Sequence, residues 1–157
     1  MGIHEIALVC VLALEGHDSP DVAASYNSVA NIYQKQGKYE EALDMLTKSL
    51  DIKTRIYGGD NHPDVAASYN NVGNIYQKQG KYEEALDMFT KSLDIMTRIY
   101  GGDNHPDLAA SYTNIGIVYY RQGQYKRALE YYQKALEINI KVSGQEPPRT
   151  WPHHLTT

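Results

Sequence analysis

The chain has 157 residues, 42% of them hydrophobic and 22% charged, a balance that suits one soluble globular unit. Its net charge of -4 offers no attraction to nucleic acid, whose binders carry a basic patch or stripe. Cys10 is the single cysteine, which excludes an intrachain disulfide and a cysteine-built zinc cluster and fits a reducing, cytoplasmic setting.

In chain order, the first feature is the apolar run from Ile6 to Leu14, about as long as a signal-peptide core. No Lys or Arg precedes it, and Glu5 stands where a basic flank belongs. A membrane span takes about 20 apolar residues, so this run cannot cross a bilayer. It ends in LEGHDSPDVA, which parallels the later IYGGDNHPDVA. Residues 1–19 are therefore expected to be a partial preceding repeat or a capping helix.

Residues 20–62 reappear almost unchanged at residues 63–105, and a looser copy begins at Pro106, so the chain is a tandem array with a 43-residue step. The first two copies differ only at Ser28/Asn71, Ala30/Gly73, Leu46/Phe89 and Lys53/Met96. The third keeps the proline, the aspartate, the tyrosine positions and the glycine that closes each first helix. What survives is spacing, and spacing serves packing.

Within the middle copy, Val65, Tyr69, Val72, Gly73 and Tyr76 form one stripe of an α-helix that starts at Pro63 and runs to about Gln79. Pro63 suits the first helical position, Asp64 favours the positive end of the dipole, and Ser19 is an N-cap in the first copy. Gly80 stops this helix. The stripe restarts at Tyr82 with Ala85, Leu86, Phe89, Leu93 and Met96, so a second helix follows and ends near Tyr100, before Gly101 and Gly102. A turn this short makes antiparallel neighbours. Period-two alternation is absent, so no sheet is expected.

Two-helix units at a fixed period predict an all-α fold, an α-solenoid of stacked antiparallel hairpins. Tyr69, Val72, Gly73, Tyr76, Gly80, Tyr82, Ala85, Phe89 and Ser92 fall in the order and spacing of tetratricopeptide repeats, which the chain resembles; Tyr26 to Ser49 and Tyr112 to Ala135 match likewise. Gly73 and Ala85 let the helices approach, while Tyr69, Tyr76 and Phe89 fill the gaps. The expected repeats are residues 20–62, 63–105 and 106–144, with residues 145–157, rich in proline, as a disordered tail. Trp151 in that tail either folds back over the last hairpin or is an exposed anchor.

The step exceeds the usual 34 residues. The string GGDNHPDVAASYNNVGNIYQKQGKYEEALD resembles the kinesin light chain repeats, over residues 20 to about 141. Similar long repeats occur in ciliary scaffolds and microbial multidomain regulators. The heptad segment of that family has no counterpart here, and three units stand where it has more, so the likeness is to a cargo-binding domain or a fragment of one.

The resemblance implies a groove lined by the first helices. Carried onto this sequence, its contact positions are Asn27, Asn31, Gln34 and Lys35, then Asn70, Asn74, Gln77 and Lys78, then Thr113, Ile117, Tyr120 and Arg121. Amides can hold a peptide backbone as donor and acceptor without demanding particular side chains, and Lys35, Lys78 and Arg121 add a ladder of positive charge. Kinesin light chain grooves take short acidic peptides centred on an aromatic residue. The chaperone-binding branch of the fold clamps a C-terminal carboxylate with a lysine at the place of Asn27, Asn70 and Thr113, so that partner is not expected.

Acids concentrate on the second helix, where Asp44/Lys48, Asp87/Lys91, Asp94/Arg98 and Glu137/Lys141 stand at i, i+4 as a solvated, salt-bridged face. Asp60, His62 and Asp64, repeated at Asp103, His105 and Asp107, suggest metal ligands but sit where helix starts need caps and acids. The fourteen tyrosines are expected to be mainly core, with Tyr120 as the contact residue, and Met45, Met88 and Met96 as fillers. Neither a nucleophile with a base, nor a phosphate loop, nor a carboxylate pair in an apolar stripe appears, so no enzyme, cofactor or metal is expected. Three readings follow: a cytoplasmic adaptor of the motor-cargo type, associated with the cytoskeleton and binding a protein or peptide; a scaffold or regulatory arm of a larger protein; and sensor repeats controlling an attached enzyme. No membrane partner is expected. Uncapped repeat ends are expected to leave an isolated chain marginally stable or self-associating.

Overall fold

The computed structural model describes residues 2, 3, 5, 6, 18–102 and 104–144. Among the described residues, six long α-helices follow one another: α1 (Pro20–Lys35), α2 (Tyr39–Ile56), α3 (Pro63–Lys78), α4 (Tyr82–Tyr100), α5 (Pro106–Arg121) and α6 (Tyr125–Val142). Every described element is helical, as the 3.6-residue stripes require. The expectations for the apolar run after Ile6 and for residues 145–157 lie outside the described residues.

Each first helix begins on a side-chain cap. Ser19 Oγ accepts from Val22 N at 3.1 Å. In the next two copies histidine takes the role: His62 Nδ1 accepts from Asp64 N at 3.0 Å, and His105 Nδ1 from Asp107 N at 3.1 Å. Each cap satisfies one of the four N–H groups that a helix start leaves unpaired. The first helices all close in the same way. Gly80, at φ +75°, donates to Gln77 O, and Lys81 N reaches back to Tyr76 O at 2.8 Å; Gly37 with Lys38 and Gly123 with Gln124 repeat the geometry. This is a Schellman closure, and the left-handed glycine turns the chain directly into the next helix.

Hairpin crossings pair a small residue with a large one. A Cβ on Gly73 would lie 2.8 Å from the Phe89 ring, and one on Gly116 would lie 2.8 Å from the Tyr132 ring. The first copy meets the same constraint from the other side, with Ala30 and Leu46 in one buried cluster. The two substitutions between the copies therefore compensate each other.

Stacking uses the opposite side of each second helix. Leu43 of α2 packs with Val72 and Ile75 of α3, and Leu86 of α4 with Ile115 and Val118 of α5. Polar contacts span the same junctions. Gln79 Nε2 donates to Glu40 Oε1 at 2.8 Å, and Gln122 Nε2 to Glu83 Oε1 at 3.2 Å.

The tyrosines pack on the core from its edge, as their stripes imply: Tyr26, Tyr33, Tyr39, Tyr69, Tyr76, Tyr82, Tyr112, Tyr119 and Tyr131 lie against the buried clusters. None of those described is fully buried. Their hydroxyls keep a polar partner or water at the edge of the packing, as Tyr57 and Tyr100 show by donating to Asp64 and Asp107 at 2.8 Å. Two of the four i, i+4 ion pairs close, Asp44–Lys48 at 3.1 Å and Asp87–Lys91 at 3.3 Å. The lysines of these pairs also lie over Tyr26 and Tyr69, at 5.9 and 5.7 Å from the ring centroids, so cation–π attraction fixes them where ion pairing alone is weak.

Lys53 is a polar residue at a stacking junction. Its Nζ donates to the buried Ser68 Oγ at 3.1 Å. Burial holds the ammonium below its ordinary value, opposed by the charge of Asp64. Met96, its counterpart, is buried in the apolar cluster of the next junction.

Two stability outcomes follow, each measured by denaturant unfolding. Gly73→Ala lowers stability by about 1–2 kcal/mol, because overpacking against a fully buried ring outweighs a helix-propensity gain of about 1 kcal/mol. Adding Phe89→Leu recovers most of that loss, since the pair then matches Ala30 and Leu46; additive losses in the double variant would contradict the compensation. Lys53→Met raises stability by about 1 kcal/mol at neutral pH. In the unsubstituted chain the folded Lys53 binds fewer protons than the unfolded one between its lowered value and the ordinary 10.5. Stability therefore rises with pH across that window, and the advantage of Lys53→Met shrinks there.

Candidate functional site

The candidate contact residues form rows on α1, α3 and α5. Lys35, Lys78 and Arg121 are exposed, each in the last turn of its helix, where a cation complements the dipole. Asn31 and Asn74 are exposed, while Ile117 in the third copy is half-buried. Gln34 and Gln77 are half-buried, and Tyr120 at the corresponding place is exposed, its ring tilted against Tyr125 at 5.5 Å. The first two copies thus present amides, and the third presents an aromatic and an aliphatic surface.

The innermost row is the most informative. Asn27, Asn70 and Thr113 are all half-buried. Thr113 Oγ1 donates to Ala109 O at 2.9 Å within its own helix. The Oδ1 atoms of Asn27 and Asn70 are buried and have no hydrogen-bond partner within the chain. An unmatched buried acceptor costs about 1–3 kcal/mol, so these two oxygens are unfavourable in the free chain.

The connectors between hairpins are built for structure. Tyr57 stacks on His62, and Tyr100 on His105, with ring centroids 3.6 Å apart in both pairs. With Nδ1 capping a helix and the ring face covered by tyrosine, each histidine is committed to the helix start. Among the described residues no group of three His, Cys, Asp or Glu side chains is placed to hold a metal ion.

Two surface depressions lie away from the rows. One is lined by Asp60, Tyr69, Lys91, Asp94, Ile95 and Arg98. The other, at the start of the array, is lined by Gly2, Glu5, Val29, Ile32, Tyr33, Gln36 and Lys38. There the Tyr33 hydroxyl donates to Glu5, and that bond, with the Gly2 N–H, holds the Glu5 carboxyl below the usual range. Sequence reasoning missed this contact because nothing in the spacing of residues 28 apart signals it. It also missed Tyr125, one of the most exposed large side chains.

The tetratricopeptide repeat family model matches residues 3–55, 21–98 and 64–141. Among solved structures, BtubC (BKLC) from P. vanneervenii is similar at 28% identity and a TM-score of 0.81, over 95% of this chain and 59% of that one. A putative kinesin light chain from Podosopora anserina with nearly identical TPR-like repeats aligns at 24% identity and a TM-score of 0.72, over 88% of this chain and 64% of the other. MamA aligns at 21% identity and a TM-score of 0.63, over 91% and 72%. The last two likenesses are of fold alone. The chain spans 59% of the length of BtubC. Comparison by sequence with curated proteins finds no match.

Removing the unpaired oxygens has a measurable consequence. Asn27→Leu with Asn70→Leu raises the melting temperature, each change relieving about 1 kcal/mol of unmatched desolvation. A lowered melting temperature would mean that both oxygens are already satisfied.

Proposed function

The chain belongs to the tetratricopeptide repeat family, and from that premise we propose that it holds an extended segment of a partner protein along its first helices, in the manner of a kinesin light chain-like cargo adaptor. Tetratricopeptide repeats mediate protein–protein interaction and are typically non-catalytic modules. The observation that carries the reading is the exposed row that recurs at each hairpin step, Lys35, Lys78 and Arg121 with the amides Asn31 and Asn74 beside them. Exposed amides such as Asn31 and Asn74 can pair with a peptide backbone as both donor and acceptor.

Charge supports the partner's chemistry. Lys35, Lys78 and Arg121 recur along the row at one cation per step, and α1, α3 and α5 carry acids only in their first turns, Asp21, Asp64 and Asp107. An acidic segment approaches such a row favourably, and an aromatic residue in it has Tyr120 and Ile117 to pack on. No helix among the described residues is long and apolar enough to cross a membrane. A cytoplasmic, cytoskeleton-associated place of action goes with this reading.

The near-identity of the first two copies favours a second reading, a scaffold arm in which the repeats chiefly stack. Rapid duplication preserves a packing unit at once, whereas a selective groove needs its positions to differ. The two readings separate in one experiment.

A library of short acidic peptides with a central aromatic residue is titrated against the chain and against Lys78→Glu with Arg121→Glu. The adaptor reading expects binding that weakens roughly tenfold on charge reversal and weakens further with added salt. Binding indifferent to both, or no binding at all, leaves the scaffold reading.

A further inference from the structure

The α6 helix breaks the charge pattern of the array at a point where the array's own interfaces show what charge does. The second helices α2 and α4 open with two acids, Glu40 and Glu41, then Glu83 and Glu84. The α6 helix has none in its first turn and carries Lys126 and Arg127 instead. Cations at a helix N-terminus oppose the dipole, so the exchange is unfavourable for α6 itself. Arg127 is occupied over the Tyr119 ring, at 5.5 Å. The position of Lys126 is the one that bridges to the next hairpin: Glu40 accepts from Gln79 and lies 3.7 Å from Lys81, and Glu83 accepts from Gln122.

The apolar side of the same face is open. Leu43 and Leu86 of the earlier second helices are covered by the helix that follows. Their counterpart Leu129 is 52% exposed, Leu136 46% and Tyr125 61%. These three residues fall on one stripe of α6, continuous with the face that the earlier second helices turn toward their neighbours.

We infer that this face of α6 docks an amphipathic helix of a partner protein that presents carboxylates at the places Gln79 and Lys81 take just after the end of α3. The apolar stripe fits a helix with the character of α3, because the equivalent faces of α2 and α4 already take such helices. Lys126 sets the charge: it repels the lysine found at the inner junction and attracts an acid in its place. A second copy of this chain is the wrong occupant. Its α1 would bring Gln36 and Lys38 against Lys126, and Glu5 and Gly2 already line the surface around Ile32. The α6 face is separate from the first-helix rows and adjoins them at Tyr120.

The probe is a peptide of residues 63–81, side-chain-braced as a helix over residues 63–78 and left free at its Gly80 turn, used beside the same peptide with Gln79→Glu and Lys81→Glu, against the full chain by fluorescence anisotropy. The acidic form is expected to bind about fivefold more tightly than the parent. Lys126→Glu in the chain reverses that order, and Leu129→Glu abolishes both, while circular dichroism stays unchanged because Leu129 is exposed. Equal affinities, an order that ignores Lys126→Glu, or no binding by either peptide would overturn the proposal. Binding seen only after removal of residues 145–157 would make that segment the occupant. Concentration-dependent association of the unsubstituted chain that Leu129→Glu dissolves would make it a second copy. Either outcome overturns a partner helix and leaves the first-helix reading untouched.

Discussion

Each inner second helix is buried on two sides, by its own first helix and by the first helix that follows, and the rest of the molecule depends on that double burial. The short glycine turn brings the first partner, and the connector brings the second. Neither contact suffices alone, because one hairpin leaves half of its second helix exposed to water. Stability in such an array is a sum of unit and nearest-neighbour terms, so an end differs from the middle by one missing term. Ile32 of α1 is 39% exposed, whereas its counterparts Ile75 and Val118, which follow another described hairpin, are fully covered.

The hairpin crossing sets a second condition, conservation of volume. Ala30 with Leu46, Gly73 with Phe89 and Gly116 with Tyr132 are three solutions to one gap. Two of the four differences between the near-identical copies belong to that gap, which shows that the copies diverge under a packing constraint. The Lys53/Met96 difference falls at a stacking junction instead, where Lys53 retains a hydrogen bond to Ser68 and Met96 retains none. The stacking junction tolerates this polar residue because its ammonium reaches the buried Ser68 hydroxyl.

Function falls to surfaces that packing leaves free. Second helices spend their apolar residues on two interfaces and keep acids on the remaining side, where lysines bridge to acids and tyrosines. First helices are left with amides and a terminal cation. That division of charge follows from the geometry of stacking, and the proposal of an acidic partner segment rests on it. The reversal of charge at the start of α6 departs from the same rule, and the proposed helix partner is argued from it.

The period, the helix limits, the antiparallel hairpins and the repeat family were legible in the residues, because proline, glycine and apolar spacing act locally and recur. The sites of capping were legible too, since Ser19, His62 and His105 stand directly before a helix-starting proline. Tertiary structure alone decided what depended on distant neighbours. It set most tyrosines at the edge of the core and left Tyr57, Tyr120 and Tyr125 exposed, left Asn27 and Asn70 with unmatched oxygens while Thr113 is satisfied, and brought Glu5 to Tyr33. It also separated Leu129 from Leu86, identical residues at equivalent places, one exposed and one covered. Sequence determined each hairpin because its forces act within a few turns of chain, and burial was decided only when the hairpins stacked, because covering a side chain requires a neighbour that its own segment does not contain.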